Sequence, residues 1–422
     1  MQVAIIGAGI VGVTTAHELA AQGHEVTVFE RRGSVAEETS FANAGVIAPG
    51  YVMPWAAPGT PGQMIRQLTS RHAAIRLGGW GALAQLPWLW QWWQGCRPQV
   101  QEANRRAMHE LARFSHERTL ELTRRLRLDY DQMPGYMVLL RSEAQLARAQ
   151  TGLALLRSLG VHHELIDASR ARWLEPALNQ AMPLLAALHL PHDGVGNCRQ
   201  FAQLLKSQAQ KLGAQFQFDT RVLAVRPGQR PQVEWAGGGQ RMFDAVVVCA
   251  GVQANAVLRS VGLKLPLAAV HGYSITAPIR HVDGYPDPGP RTALMDERYQ
   301  VVISRLGQRV RVTGGAEIGG HDLRHSAAAL ATLYKVLDDW FPGSALVREA
   351  QHWKGARPML PDGPPVLGAS PAPGVWLNLG HGSSGWTLAC GSACVLADLV
   401  SGRPPPIDLS RLGLDRLKAG AA

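Results

Sequence analysis

The chain opens on two strand-like hydrophobic patterns joined by a helical one. Val3 to Ile6 is an unbroken apolar run, suited to a parallel strand buried on both faces. Helical periodicity follows to Gln22 and stops at Gly23, and 25–29 then alternates as a second strand ending in the acidic Glu30. Further on, the pattern predicts a helix over 101–127, a strand near 136–140 and a helix over 144–158. A helix over 199–212 closed by Gly213, a strand over 215–225 and a buried strand over 241–251 come next, the last followed by helical residues to Val261. Strands with turn punctuation dominate 266–318, with a hairpin over 297–318 turning at Leu306 and Gly307. The end returns to α/β: a strand over 375–379, a glycine loop, and an apolar helix from about Thr387 to Val400. Two stretches show neither period. SFANAGVIAPGYVMPWAAPG (40–59) reads as an extended active-site loop. WGALAQLPWLWQWW (80–93) holds five of the twelve tryptophans and reads either as core packing or as a patch that enters a bilayer interface.

The opening unit predicts a ligand. Gly7, Gly9 and Gly12 form GxGxxG between strand and helix. The first glycine allows the tight turn, the second lets backbone approach a pyrophosphate, and the third lets helix and strand pack closely, while the helix N-terminus offers free N–H groups to the anion. Glu30, 21 residues after Gly9, is placed to accept hydrogen bonds from a ribose diol. An acidic residue there favours FAD or NAD over NADP, whose 2′-phosphate it would repel. The order of patterns predicts an α/β chain with a Rossmann-like domain assembled from 1–55, 190–262 and 355–422. A mostly antiparallel β domain with helices is expected from 56–189 and 263–354.

Composition narrows the classes. With 422 residues, 46% of them hydrophobic and 18% charged, the chain has the balance of an ordinary enzyme with two domains. Its net charge of +10 comes almost wholly from scattered arginines, only six of the 42 basic residues being lysine, which argues against a nucleic-acid partner and ranks acidic lipid ahead of it. Five cysteines with no CxxC indicate neither a disulfide framework nor a metal site, and fit a reducing cytoplasm. No basic leader and no long uninterrupted apolar run is present, so neither a signal peptide nor a membrane span is expected. A pyridine-nucleotide reductase would carry a second GxGxxG unit mid-chain, and none is seen.

One requirement follows from redox chemistry itself. GHGSSGWT (380–387) opens the last helix, and Gly382, Ser383, Ser384, Gly385, Trp386 and Thr387 would present backbone N–H groups to the negative charge that a flavin gains at N1 and the C2 carbonyl.

Together, the fingerprint with Glu30, the run ETSFANAGVIAPGYVMPWAAPG (38–59), the blocks HGYSITAPI (271–279) and MDERYQVVISRLGQRVRVTGGAEI (295–318), and the segment 355–402 resemble the D-amino acid oxidase superfamily. Within it they are similar to the small subunits of bacterial D-amino acid dehydrogenases. The resemblance implies FAD on Gly7, Ala8, Gly9, Ile10, Val11, Gly12, Glu30 and Arg31. Ser40, Asn43, Ala44 and Gly45 would lie along the diphosphate and flavin, and Val222, Ala250 and Gly251 beside the cofactor. It implies oxidative deamination of D-amino acids to 2-oxo acids and ammonia, with a secondary amino acid as the alternative substrate. Arg357, in the RP motif, and Tyr299 would hold the substrate carboxylate, and Tyr51 and Tyr273 would line the pocket. His271 or His381 would be a dispensable proton acceptor. A membrane quinone is the implied electron acceptor, with 80–93 touching the cytoplasmic face of the inner membrane. The oligomeric state stays open.

Overall fold

The computed structural model describes residues 1–67, 70–281, 283–320 and 324–419. Two sheets organise them. The first has six strands in the order Val366–Ala369, Val375–Leu379, Ala245–Val248, Gln2–Ile6, Glu25–Phe29, Gln215–Gln217, all parallel except the antiparallel edge strand Val366–Ala369. Alternation explains why its strands are apolar throughout. Val3 and Ile5 pack with Val26, Val28 and Val247 under helices Ile10–Ala21, Cys198–Lys211 and Gly385–Val400. Ala4 and Ile6 turn the other way, toward Val225 and Val233 of a three-stranded meander, Val222–Arg226, Gln232–Trp235 and Gly239–Met242, and toward Phe243 just after it.

That meander corrects two sequence expectations. The strand expected over 215–225 is two strands in different sheets, separated by a corner at which Asp219 takes a left-handed φ of 51°. The strand expected over 241–251 likewise divides, Gly239–Met242 closing the meander and Ala245–Val248 entering the central sheet. In both cases a polar corner, Asp219 to Arg221 in the first and Asp244 in the second, separates strands that join different sheets. The remaining elements fall close to expectation, among them helices Pro98–Arg125 and Glu143–Ser158 and the hairpin Val301–Leu306 with Arg309–Ile318.

The second sheet has ten strands. Its path runs Gln351–Met359, Ala268–Pro278, Arg309–Ile318, Val301–Leu306, Ala293–Asp296, Gln132–Leu140, Ala186–Gly196, Val46–Ile47, with Ile75–Leu77 and Glu164–Asp167 pairing off that path. One face packs on helix Ala327–Trp340 through Tyr273, Ile275, Val301, Ile303, Val310 and Val312. The opposite face meets the segment after the second strand: Ser304 Oγ donates to the Ala44 carbonyl (2.9 Å) and Arg311 Nη1 to that of Asn43 (3.1 Å). Because the resemblance expects the segment after the second strand to run along a flavin, this face is termed the cofactor-side face.

Sheet membership refines the expected division of the chain. Ala186–Gly196 and Gln351–Met359 each lie wholly in the ten-stranded sheet and run across the expected junctions at 190 and 355. Helix Pro98–Arg125, from the 56–189 stretch, packs Met108, Leu111 and Ala112 against Leu388 and Val395 of the last helix. It also carries Arg118 to the buried Glu18 at 2.7 Å. The last helix, with its lead-in from Gly382, is long and apolar enough to cross a membrane, but 67% of that window is buried as core. The tryptophan stretch divides in two. Trp88 and Trp92 of helix Leu86–Gly95 are buried, while Trp90 and Trp93 are 58% and 51% exposed.

Candidate active site

Beyond the carboxyl ends of the central parallel strands lies an elongated cleft. Gly7, Gly9, Ile10, Val11, Glu30, Arg31, Ser40, Val222, Ala250, Gly251, Gly382 and Gly385 line it, as expected for one elongated group. The three glycines show separate reasons for their places. At Gly7 φ is 104° and an added Cβ would come 2.7 Å from the Cys249 carbonyl; at Gly12 it would overlap the Gly7 carbonyl. At Gly9 it would meet only Ser40 Oγ, at 3.4 Å, so that this side is left open toward the cleft. Glu30 accepts from the Ala8 N–H at 2.7 Å and the Arg32 N–H at 2.8 Å. Burial raises its pKa, partly offset by those two bonds. Ser40 Oγ accepts from the Ile10 N–H (3.0 Å) at the helix N-terminus where a diphosphate would sit. Asn378 contributes a buried side-chain amide oxygen with no hydrogen-bond partner among the described residues. An open glycine face, an unsatisfied acceptor and a helix N-terminus in one long cleft fit a dinucleotide.

Several expected contacts lie elsewhere. Ala8 and Gly12 are packed behind the cleft, and Ser383 and Ser384 are not among its lining residues. Trp386 packs on Tyr130 and Phe201 and donates to the Gly196 carbonyl (3.1 Å), and Thr387 Oγ1 bridges Val46 and Ala48, so both side chains face the core. Their backbone remains at the start of helix Gly385–Val400, behind the turn Gly382–Ser384. Asn43, Ala44 and Gly45 bind the cofactor-side face of the large sheet, Gly45 through its carbonyl to the Gly196 N–H at 2.7 Å.

Arg357 stands on that same face. Its guanidinium lies directly over Gly272, where any Cβ would overlap it, and Nη1 donates to the Gly315 carbonyl (2.8 Å) at a bulge in the neighbouring strand. Among the described residues no carboxylate is in ion-pair contact with it, and desolvation lowers its pKa to about 10. Such a group awaits an anion.

The other expected substrate residues are not beside it. Strand alternation turns Tyr273 to the helix-covered face, where its hydroxyl bonds Glu317 and Lys354 Nζ lies 3.3 Å from the same carboxylate. Burial, then Glu317, raises the Tyr273 pKa. His271 is paired in register with Glu317 and shares that face. Tyr299 is also there, edge-on to His72 at 5.9 Å and near Arg141 and Lys335. Tyr51 is on the cofactor side but packs on Tyr136, five strands along the sheet from Arg357. His381 does line the cleft. Its Nε2 is bonded to Ser392 Oγ (3.0 Å), and burial lowers its pKa to about 3, so it stays neutral.

Sequence reading missed Thr39, whose hydroxyl ties the cleft to the Ala356 carbonyl (2.6 Å), as well as Thr220, Leu223, Val252, Gln253 and Asn378 in the lining. All but Asn378 lie within two residues of Ser40, Val222 or Gly251, whereas Asn378 is brought to the cleft by the pairing of Val375–Leu379 with Ala245–Val248. Among the described residues no cluster of His, Cys, Asp or Glu is placed to hold a metal ion.

Comparison with known proteins agrees with this geometry. The DAO family of FAD dependent oxidoreductases matches residues 2–399. The chain belongs to that family. It is an FAD-dependent oxidoreductase, and FAD is the group for which the cleft is built. It is 42% identical, over 99% of its length and 96% of the other protein's, to a D-amino acid dehydrogenase of Cereibacter sphaeroides. In fold it is similar to glycine oxidase from Geobacillus kaustophilus, with a TM-score of 0.74, 24% identity and 98% of each chain covered. It is likewise similar to L-proline dehydrogenase from P. horikoshii, with a TM-score of 0.74, 18% identity and coverage of 99% and 98%.

Proposed function

We propose that this DAO-family oxidoreductase oxidises the Cα–N bond of D-amino acids, giving a 2-oxo acid and ammonia. The carrying observation is Arg357, a desolvated guanidinium on the cofactor-side face with no carboxylate partner among the described residues, suited to a bidentate grip on a substrate carboxylate. The full-length likeness to a D-amino acid dehydrogenase supports the D configuration. Bound FAD supplies a two-electron acceptor for the Cα hydride, and the amine proton leaves to solvent as the imino acid forms and is hydrolysed by water. The chain's own part is placement. Arg357 anchors the acid group, Gly382 and Gly385 bring the start of the last helix to the cleft, and His381 remains neutral instead of acting as a base. Anaerobic mixing with a panel of D- and L-amino acids, glycine, sarcosine and D-hydroxyproline tests the reading. Bleaching of the flavin by primary D-amino acids is expected, and bleaching by secondary amines alone would contradict it.

The electron acceptor proposed is a membrane quinone, reached through a surface stripe. Leu83, Leu86, Trp90 and Trp93 follow one another at helical spacing, each more than half exposed, and the rings of Trp90 and Trp93 lie 5.0 Å apart, tilted by 38°. Replacing Trp90 and Trp93 by Ser is expected to abolish binding to vesicles containing anionic lipid while dye-coupled activity stays at the wild-type level. Undiminished vesicle binding would refute the stripe's role. Trp88 and Trp92 are unsuitable for this test because they are core residues, Trp88 donating to the Met359 carbonyl at 3.1 Å.

A further inference from the structure

Two side chains lie flat on the cofactor-side face, where side chains ordinarily stand up from a sheet. Gly272 and Gly355 are directly paired across neighbouring antiparallel strands, so their side-chain positions point to one face. A Cβ at Gly272 would overlap the Arg357 guanidinium, and a Cβ at Gly355 would overlap the Trp353 indole. Guanidinium and indole therefore rest side by side on the two bare members of one pair, roughly 5 Å apart, the ordinary cross-strand spacing. Alternation along Gln351–Met359 agrees, since Lys354 reaches Glu317, and His352 meets Tyr334 of helix Ala327–Trp340, on the opposite face. This strand borders the cleft where Pro358 lines it and the Ala356 carbonyl accepts from the Thr39 hydroxyl, itself in the lining. Arg357 is next to that border, and Trp353 lies just beyond it. Both residues keep part of their surface uncovered. The guanidinium has a proposed ligand, and the indole beside it has no role yet.

We propose that Trp353 sets side-chain specificity: its indole is the platform on which the substrate's side chain lies, selecting D-amino acids with an uncharged apolar or aromatic side chain. Resting on the D-amino acid reading above, this assignment extends it to the side chain. The Arg357 guanidinium is bounded on one side by the Gly315 carbonyl, an acceptor that repels a carboxylate, and on the other by the indole. A ligand gripped there by its acid group carries the rest of its carbon skeleton toward Gly355. In an amino acid the side chain begins two bonds from the carboxyl carbon, so the step from guanidinium to indole matches the step from acid group to side chain. A flat indole gains in proportion to the apolar area laid on it, much from a ring and little from a methyl group. A cationic side chain would meet Arg357, and an acidic one would compete for it. The glycine pair keeps the platform low, because a side chain at either position would lift the indole or the guanidinium into the substrate's space.

Dye-coupled kcat/KM for D-phenylalanine and D-alanine, measured on wild-type, Trp353→Ala and Trp353→Phe holoenzymes, tests it. Trp353→Ala is expected to lower the ratio of D-phenylalanine to D-alanine by about 10-fold or more, chiefly through KM, with D-alanine itself within about threefold of wild type. Trp353→Phe keeps an aromatic face and should hold the ratio within about threefold of wild type. A tryptophan that serves only the fold would lower both substrates alike when removed, and one that only limits the size of the pocket would raise the ratio. Either result overturns the proposal, as does a wild type that oxidises D-alanine but not D-phenylalanine. Should Trp353→Ala purify without flavin, Gly355→Ala, whose Cβ displaces the indole, replaces it: a lowered ratio supports the proposal and an unchanged one overturns it. Failure of every D-amino acid to reduce the wild-type flavin would refute the proposed function itself, a result distinct from any change in the ratio.

Discussion

At the scale of single residues, two glycines of one motif should fail in different ways. A Cβ at Gly12 overlaps the Gly7 carbonyl, so Gly12→Ala should lower thermal stability even without cofactor, whereas at Gly9 the only neighbour is Ser40 Oγ. Gly9→Ala should therefore leave the apoprotein's melting temperature within a few degrees and weaken FAD binding. Equal destabilisation by both would contradict these assignments. Arg357→Met should lower kcat/KM for D-amino acids by roughly 100-fold or more, the loss of a charge-assisted bidentate contact, with flavin content unchanged. The arginine was legible through a motif likeness. Its isolation was not, because strand alternation turns Tyr273 to the other face and Tyr299 lies in the turn before Val301–Leu306, packed on the helix-covered side.

At the scale of elements, the ion pair between helices Ile10–Ala21 and Pro98–Arg125 ties a stretch expected in the β domain to the nucleotide domain. Burial raises the Glu18 pKa, but hydrogen bonds from His17 and Arg118 outweigh it and the net shift is downward. A carboxylate depressed in the folded state stabilises above its unfolded pKa, and the contribution is lost as pH falls through the lower folded value. Glu18→Gln should thus cost about 3 kcal/mol near neutrality, with the gap to wild type closing in acid; a pH-independent gap in denaturant unfolding would refute the pairing. Asp193 has the opposite sign. Its carboxylate caps the turn Pro49–Tyr51 through the Gly50 N–H (3.0 Å), and burial raises its pKa to about 7. The folded state then holds a proton that the unfolded chain has released, so stability falls as pH rises from about 4 toward 7. Asp193→Asn should flatten that slope, and an unchanged slope in the same unfolding series would exclude Asp193 as its source.

For the whole molecule, the division of labour is between a cleft on one sheet and a polar floor on the other, joined by the segment from Thr39 to Gly45. The opening βαβ unit was readable because its reasons are local: a turn, a close helix approach and an acid at the end of the next strand. The boundaries near 190 and 355 were not, since a strand that crosses a junction looks the same in sequence whichever sheet it joins. The exposed stripe of Leu83, Leu86, Trp90 and Trp93 needed the structure to separate it from Trp88 and Trp92, which share its helical stretch and its composition. The central claim is a bound flavin reduced by a substrate held on Arg357, and anaerobic stopped-flow reduction of wild type and Arg357→Met holoenzymes by one D-amino acid tests it most directly. Saturable bleaching in the wild type, with a dissociation constant raised roughly 100-fold by the substitution, is the result predicted; equal affinity in the two proteins, or no bleaching by any D-amino acid, would contradict it.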